Sequence, residues 1–407
     1  MASGVLHDVS MGYQLLWGPQ RKVAGVQLRM DLQSNTSIDA RHLLGTLGKM
    51  WRTDAPPLQL CTSSVALLAD LLDMAPAKQA RIEVSDAQLQ DPAIAARVVR
   101  AGQRGLSLVW RGEPGTRFKA AYTSSFTQSI LGLSTDEALM SLRIAKRSQG
   151  ANLPADPASP VRAGQIYEGV ASQLLAEHVL GQQGAAALLG WPVEDVLYGY
   201  RQHRIQPGRA AIMRLVEAID ADIAMEDIEQ LLAQDALLAY RFLRYVNSAG
   251  AGLRREIDAL RQGLMVLGLG RVKTWLQEQL PKASSDRNLH PVRLGMTLRA
   301  QLMAETLDAG EGDALKRELH LCGLLSQIDQ LLAEPLTSAL GSVPLPARVI
   351  AALVDHDGPY WPYLAIACAL ESPGTASQSL CERHGIDQEA VNQALLRTLC
   401  TATRPLH

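Results

Sequence analysis

The chain has 407 residues, with 39 Lys and Arg against 41 Asp and Glu for a formal charge of -2. That length accommodates two domains of ordinary size, each with its own core, and the near-balanced charge excludes the basic footprint of a nucleic-acid binder. The five cysteines form no CxxC pair, no charged leader precedes an apolar stretch, and no apolar run reaches the roughly 18 residues of a membrane span, so the sequence predicts a cytoplasmic protein with reduced thiols.

The first half alternates β-like runs with amphipathic helical ones. "KVAGVQLRM" (22 to 30), "LQLCTSS" from 58, "ARIEVSD" from 80 and "GLSLVW" from 105 read as strands. Between them "SSVALLADLLDMA" (63 to 75) and "DPAIAARVVRAGQRG" (91 to 105) read as helices, the second opened by Asp91-Pro92 and closed by Gly105. The breakers of "QGANLPADPASP" (149 to 160) make a loop, and a further β/α unit ends near "VEDVLYGYRQHRIQPG". From about Ala210 the texture becomes helix after helix, which places a boundary at Gln206-Pro207-Gly208. The expected domains are residues 1–205, β/α, and 206–407, all-helical.

In the second half, Asp235 caps a helix on which Leu238, Phe242 and Val246 recur at i, i+4 and i+8. That helix stops at Asn247-Ser248, where Gly250 and Gly252 let the chain turn back toward a second stripe of Ile257, Leu260, Leu264 and Leu267. Asn247 and Ser248 are read as helix-end residues, while Arg241 and Arg244, off the apolar stripe, are candidates for partner contact. "GLGRV" (268 to 272) sits between helical stripes and is a helix break, not a phosphate loop. Asp355-His356-Asp357 and "CERH" (381 to 384) carry metal-ligand residue types, but adjacent residues diverge in direction and no second pair follows, so neither predicts a metal centre.

"QDALLAYRFLRYVNSAG" followed by "EIDALRQGLMVLGLGRVKTWL" resembles the HDOD domain, a helical relative of HD phosphohydrolases that generally lacks their metal-binding His-Asp doublet. Ser326-Gln327 stand where that doublet would be, and neither supplies the charge or strong donor a divalent ion needs. With that domain behind it, the β/α half resembles a shortened, degenerate EAL domain, the TIM-type barrel that hydrolyses cyclic di-GMP, in the two-domain arrangement of bacterial signalling proteins. The resemblance puts Gln27 in place of the family's first metal-binding glutamate, and Cys61-Thr62 where an asparagine ligand belongs. Glu83 is a surviving carboxylate. Arg111-Gly112 replace a paired aspartate motif, and the lysine of the following strand is absent from "SSFTQSILGLS". Glu177 is taken as the late glutamate on spacing to Tyr198, where a glutamine is expected; Glu168 in "YEGV" is the rival. Trp191, Tyr198 and Tyr200 would offer faces to a guanine.

The resemblance and these replacements together predict a non-enzymatic signalling protein without cofactor or metal. It would act by contact with other signalling proteins, in motility, biofilm or stress regulation. Weak cyclic di-GMP binding without hydrolysis and homo-oligomer formation are the further readings. Cyclic di-GMP hydrolysis and HD-type phosphohydrolysis are the enzymatic alternatives.

Overall fold

The computed structural model describes residues 4–32, 38–116, 124–148, 155–248, 256–307, 312–372 and 377–402. The turn glycines Gly250 and Gly252, and residues 149–154 of the expected loop, lie outside them. The chain packs as two units: residues 1–195 together with 369–403, and residues 196–368.

The first unit is a closed barrel of eight strands taken in sequence order. These are β1 (Val9–Trp17), β2 (Val23–Leu32), β3 (Leu58–Cys61), β4 (Arg81–Ser85), β5 (Leu108–Gly112), β6 (Gln128–Gly132), β7 (Ile166–Glu168) and β8 (Ala187–Leu189). From β2 to β8 each neighbour is parallel, whereas β1 runs antiparallel to both β2 and β8. A tight turn makes that reversal: Gly18 N–H donates to the Lys22 carbonyl at 2.9 Å, and Arg21 takes the left-handed φ of 58°. The four strand runs expected from alternation are β2 to β5. The helices expected between them are Val65–Met74, capped by Ser64, and Pro92–Gln103, capped by Asp91 with Pro92 in its first turn. The barrel thus closes with its full set of eight strands, and its brevity lies in strands of three to five residues at β3 to β8.

One boundary at 205/206 does not describe how the chain packs. The C-terminal helices Ser377–His384 and Gln388–Cys400, which share the helical texture of the second half, join the barrel unit. The buried Asn392 amide donates to the carbonyls of Leu6 (2.8 Å) and Val9 (2.7 Å), and Arg29 donates to the Ser372 carbonyl (3.0 Å). The bonds from Asn392 satisfy backbone carbonyls at the start of the barrel.

The second unit is helical. Its central helix, Ala236–Val246, buries Leu238, Phe242 and Val246 completely, as the spacing predicts. Phe242 meets the Trp275 ring edge-on at 5.6 Å, and Tyr245 stacks on the same indole at 5.4 Å. Leu260–Leu267 and Leu269–Gln279 are separate helices, broken at Gly268 by a φ of 75° that a side chain would strain. No helix among the described residues is long and apolar enough to cross a membrane.

Candidate functional site in the barrel floor

Four of the barrel strands send polar side chains to one carboxylate or to the cation beside it, and a fifth adds a second carboxylate. Glu83 on β4 is buried; its Oε2 accepts from Gln27 Nε2 on β2 (2.6 Å) and from Gln59 Nε2 on β3 (2.8 Å). Its Oε1 accepts from Arg111 Nη1 on β5 at 2.8 Å. Arg111 also reaches Glu168 at the end of β7, through Nε to Oε1 at 3.2 Å and through a close Nη2–Oε2 pair. Strands β2 and β4 are not neighbours, nor are β5 and β7, so these bonds run across the barrel interior and not along its wall. Arg111 and Glu168 close their strands at the C-terminal ends of the parallel set, where barrels of this kind present their sites. The floor opens at that end: the Glu83 side chain is 5% exposed, Glu168 22% and Arg111 33%.

Burial holds the Glu168 carboxyl above the ordinary range, with Arg111 opposing the shift and Glu83 reinforcing it. The Arg111 guanidinium is held more basic than usual: desolvation by burial lowers its pKa, but the two carboxylates outweigh it. Cys61, at the end of β3, has its thiol pushed well up by burial and then by Glu83.

Gly112 has a packing role. A Cβ there would lie 2.4 Å from the Trp110 ring, and Trp110 is itself buried, so the replaced pair of positions has no room for a side chain at the second. The geometry also selects between the two candidate glutamates. Glu177 ends the short helix Gln173–Glu177 and accepts from Gln173 at 3.0 Å, whereas the floor's bonds go to Glu168. Gln59, absent from the sequence-derived set, is the other member, and its kinship with Gln27 is a register pairing between β2 and β3 that a linear reading does not show. The aromatics have other employment. Trp191 packs edge-on against Trp17 at 6.4 Å, and the Tyr200 hydroxyl bonds Asp286 at 2.5 Å. Tyr198 is 62% exposed, with the Arg201 guanidinium over its ring, and belongs to the second unit.

The metal ions implied by the EAL resemblance do not fit the floor as arranged. Every atom hydrogen-bonded to Glu83 is an N–H donor, and no group of three metal-ligating side chains occurs among the described residues. A hard divalent ion wants oxygen atoms on all sides.

In the helical unit, Asn247 caps its helix and ties it to the returning chain. Its Nδ2 donates to the carbonyls of Leu243 and Ile257, and its Oδ1 accepts from Ile257 N–H, all at 2.8 Å. Ser248 bonds the Tyr245 carbonyl at 2.7 Å. Asn247→Ala should cost about 2 kcal/mol, since it strands backbone groups at both ends of the connection; urea titration measures it, and an unchanged midpoint would refute the tie. The Arg241 guanidinium holds the Gln206 side chain (2.8 Å) and the Ile205 carbonyl (3.2 Å). Arg244 is exposed, its guanidinium 5.9 Å from the Tyr240 ring. Ser326 accepts from the buried Arg299 at 2.9 Å, and Asp355-His356-Asp357 is a helix end, with His356 in the left-handed region and stacked on Trp361.

Comparison with known proteins follows these lines. The family model for the HDOD domain matches residues 209–338. Those residues form an HDOD domain. Cyclic di-GMP phosphodiesterase CdgJ of Vibrio cholerae is 26% identical over 201 residues, which cover 48% of this chain and 46% of that protein. The uncharacterized protein YuxH of Bacillus subtilis is 24% identical over 178 residues, 42% of each. The chain thus spans a little under half the length of these curated relatives. Among solved structures, the MmoQ response regulator of Methylococcus capsulatus aligns with a TM-score of 0.39 at 18% identity, over 48% of this chain and 99% of that one. The EAL enzyme Bd1971 aligns at 0.29 and 13%, over 45% and 60%. A closed eight-stranded β/α barrel followed by a helical unit in which residues 209–338 match the HDOD model is the architecture found, as expected. The expectation that the chain is not an enzyme is corrected: the relative at 26% identity is named a phosphodiesterase, which overturns a reading drawn from replaced ligand positions alone.

Proposed function

We propose that this chain is a regulatory protein of cyclic di-GMP signalling, in which the HDOD domain makes contacts with other signalling proteins and the open end of the barrel floor receives the nucleotide. The HDOD match over 209–338 carries the first part. The second rests on the curated relative named a cyclic di-GMP phosphodiesterase, together with an Arg111 guanidinium that is one-third exposed and can face a phosphodiester. The residues we propose for these roles are 1–205 with the last helices for the nucleotide, and the part of 206–407 that precedes those helices for the protein contacts.

Calorimetric titration of the full chain with cyclic di-GMP, with product formation followed in the same samples under Mg²⁺ and Mn²⁺, tests the nucleotide. Saturable binding weakened by Arg111→Lys, in a variant that melts as wild type does, supports the reading, and no heat at millimolar nucleotide removes it. For the protein contacts, Arg244→Glu should leave the melting transition within about 0.5 kcal/mol of wild type, as exposed charges do, while reducing capture of a signalling partner. Undiminished capture would move the contact surface away from this helix.

A further inference from the structure

The floor already holds a cation of its own. Arg111 lies between Glu83 and Glu168 and bonds both, so the positive charge that two facing carboxylates require is supplied from within the chain. The remaining contacts to Glu83 come from amide N–H groups, which complement a carboxylate but repel a metal ion. One oxygen is left over: Gln59 is fully buried and its Oε1 accepts no hydrogen bond, although the Nε2 on the same carbon is bound to Glu83. A guanidinium bonded to two carboxylates, where a hard cation would take oxygen ligands, is a covalently attached substitute for that cation.

We propose that Arg111 is a resident cation of the barrel floor, and that a divalent ion reaches Glu83 and Glu168 only by displacing its guanidinium. The floor is then a latched site: with the arginine in place both carboxylates are engaged, and with the arginine removed Glu83 and Glu168 become available to a metal. This is independent of whether cyclic di-GMP binds.

The test is Mn²⁺ titration of the full chain, read by calorimetry and by the paramagnetic signal of free Mn²⁺. Wild type should show no saturable site, and Arg111→Ser should bind Mn²⁺ tighter by about tenfold or more. Adding Glu168→Gln should abolish the gain, and methylguanidinium should compete with the metal. Arg111→Lys, which keeps the charge, should stay close to wild type. If the serine variant loses its fold, Mn²⁺ should restore its melting transition. Stoichiometric Mn²⁺ binding by wild type at micromolar concentration overturns the proposal, and so does a serine variant indifferent to Mn²⁺, folded or not.

Discussion

Arg111→Met should destabilise the barrel unit by about 3–5 kcal/mol, the cost of removing one partner from a buried ion pair and leaving the other charge uncompensated. The loss falls mainly on Glu83, whose side chain is 5% exposed and whose Oε1 would lose its donor. Acid should then relieve the defect. The Glu168 carboxyl is held above the ordinary range by burial even in the native protein, with Arg111 opposing that shift, so methionine at 111 lets it rise further. A carboxyl whose folded pKa exceeds its unfolded value stabilises the fold in its protonated form; that contribution is complete below the unfolded pKa and is lost as pH climbs through the folded one. The gap between variant and wild type should therefore be widest at neutral pH and should shrink toward pH ~5. Urea melts at both values, followed by tryptophan fluorescence, measure this, and an equal gap at both would show that the guanidinium is not compensating the carboxylates.

A second large effect is expected in the HDOD domain. Phe242 is fully buried, meets Trp275 in an edge contact, and packs against Gly263, where a Cβ would lie 2.7 Å from its ring. Phe242→Ala should cost about 3–5 kcal/mol, transfer and cavity contributions together. Urea titration measures it, and a loss under about 1 kcal/mol would mean that this core collapses around the deletion.

Much of the fold is legible along the chain because it is written in local terms. The strand runs of β2 to β5 alternate, Asp91-Pro92 starts a helix, and the stripe from Leu238 to Val246 has the period of the helix it forms. The stop at Asn247 is legible for the same reason: a short amide at a helix end has carbonyls within reach. The barrel floor is only half legible. Arg111 stands out as a cation among expected carboxylates, but its partner Glu168 is 57 positions away on a strand two places round the barrel, and spacing alone favours Glu177. The bonds of Arg241 are hidden for a related cause, since the groups it holds, Gln206 and Ile205, lie 35 and 36 positions earlier and meet it only in the folded state. The C-terminal helices carry a composition that suits either unit, and their destination is set by long-range bonds such as Asn392 to Leu6 and Val9.

That return of the chain sets an order of events during synthesis. Domains ordinarily fold as they emerge, the N-terminal one first. Here the barrel unit draws its last helices from residues after 369, while the described residues of the helical unit end at 368. The strands from Val9 to Leu189 thus leave the ribosome well before the segment that covers the carbonyls of Leu6 and Val9, and the described residues of the second unit are available sooner than those of the first. The unit encoded later has its described residues made first, and the barrel's opening strand stays uncovered until the helix Gln388–Cys400 has been made.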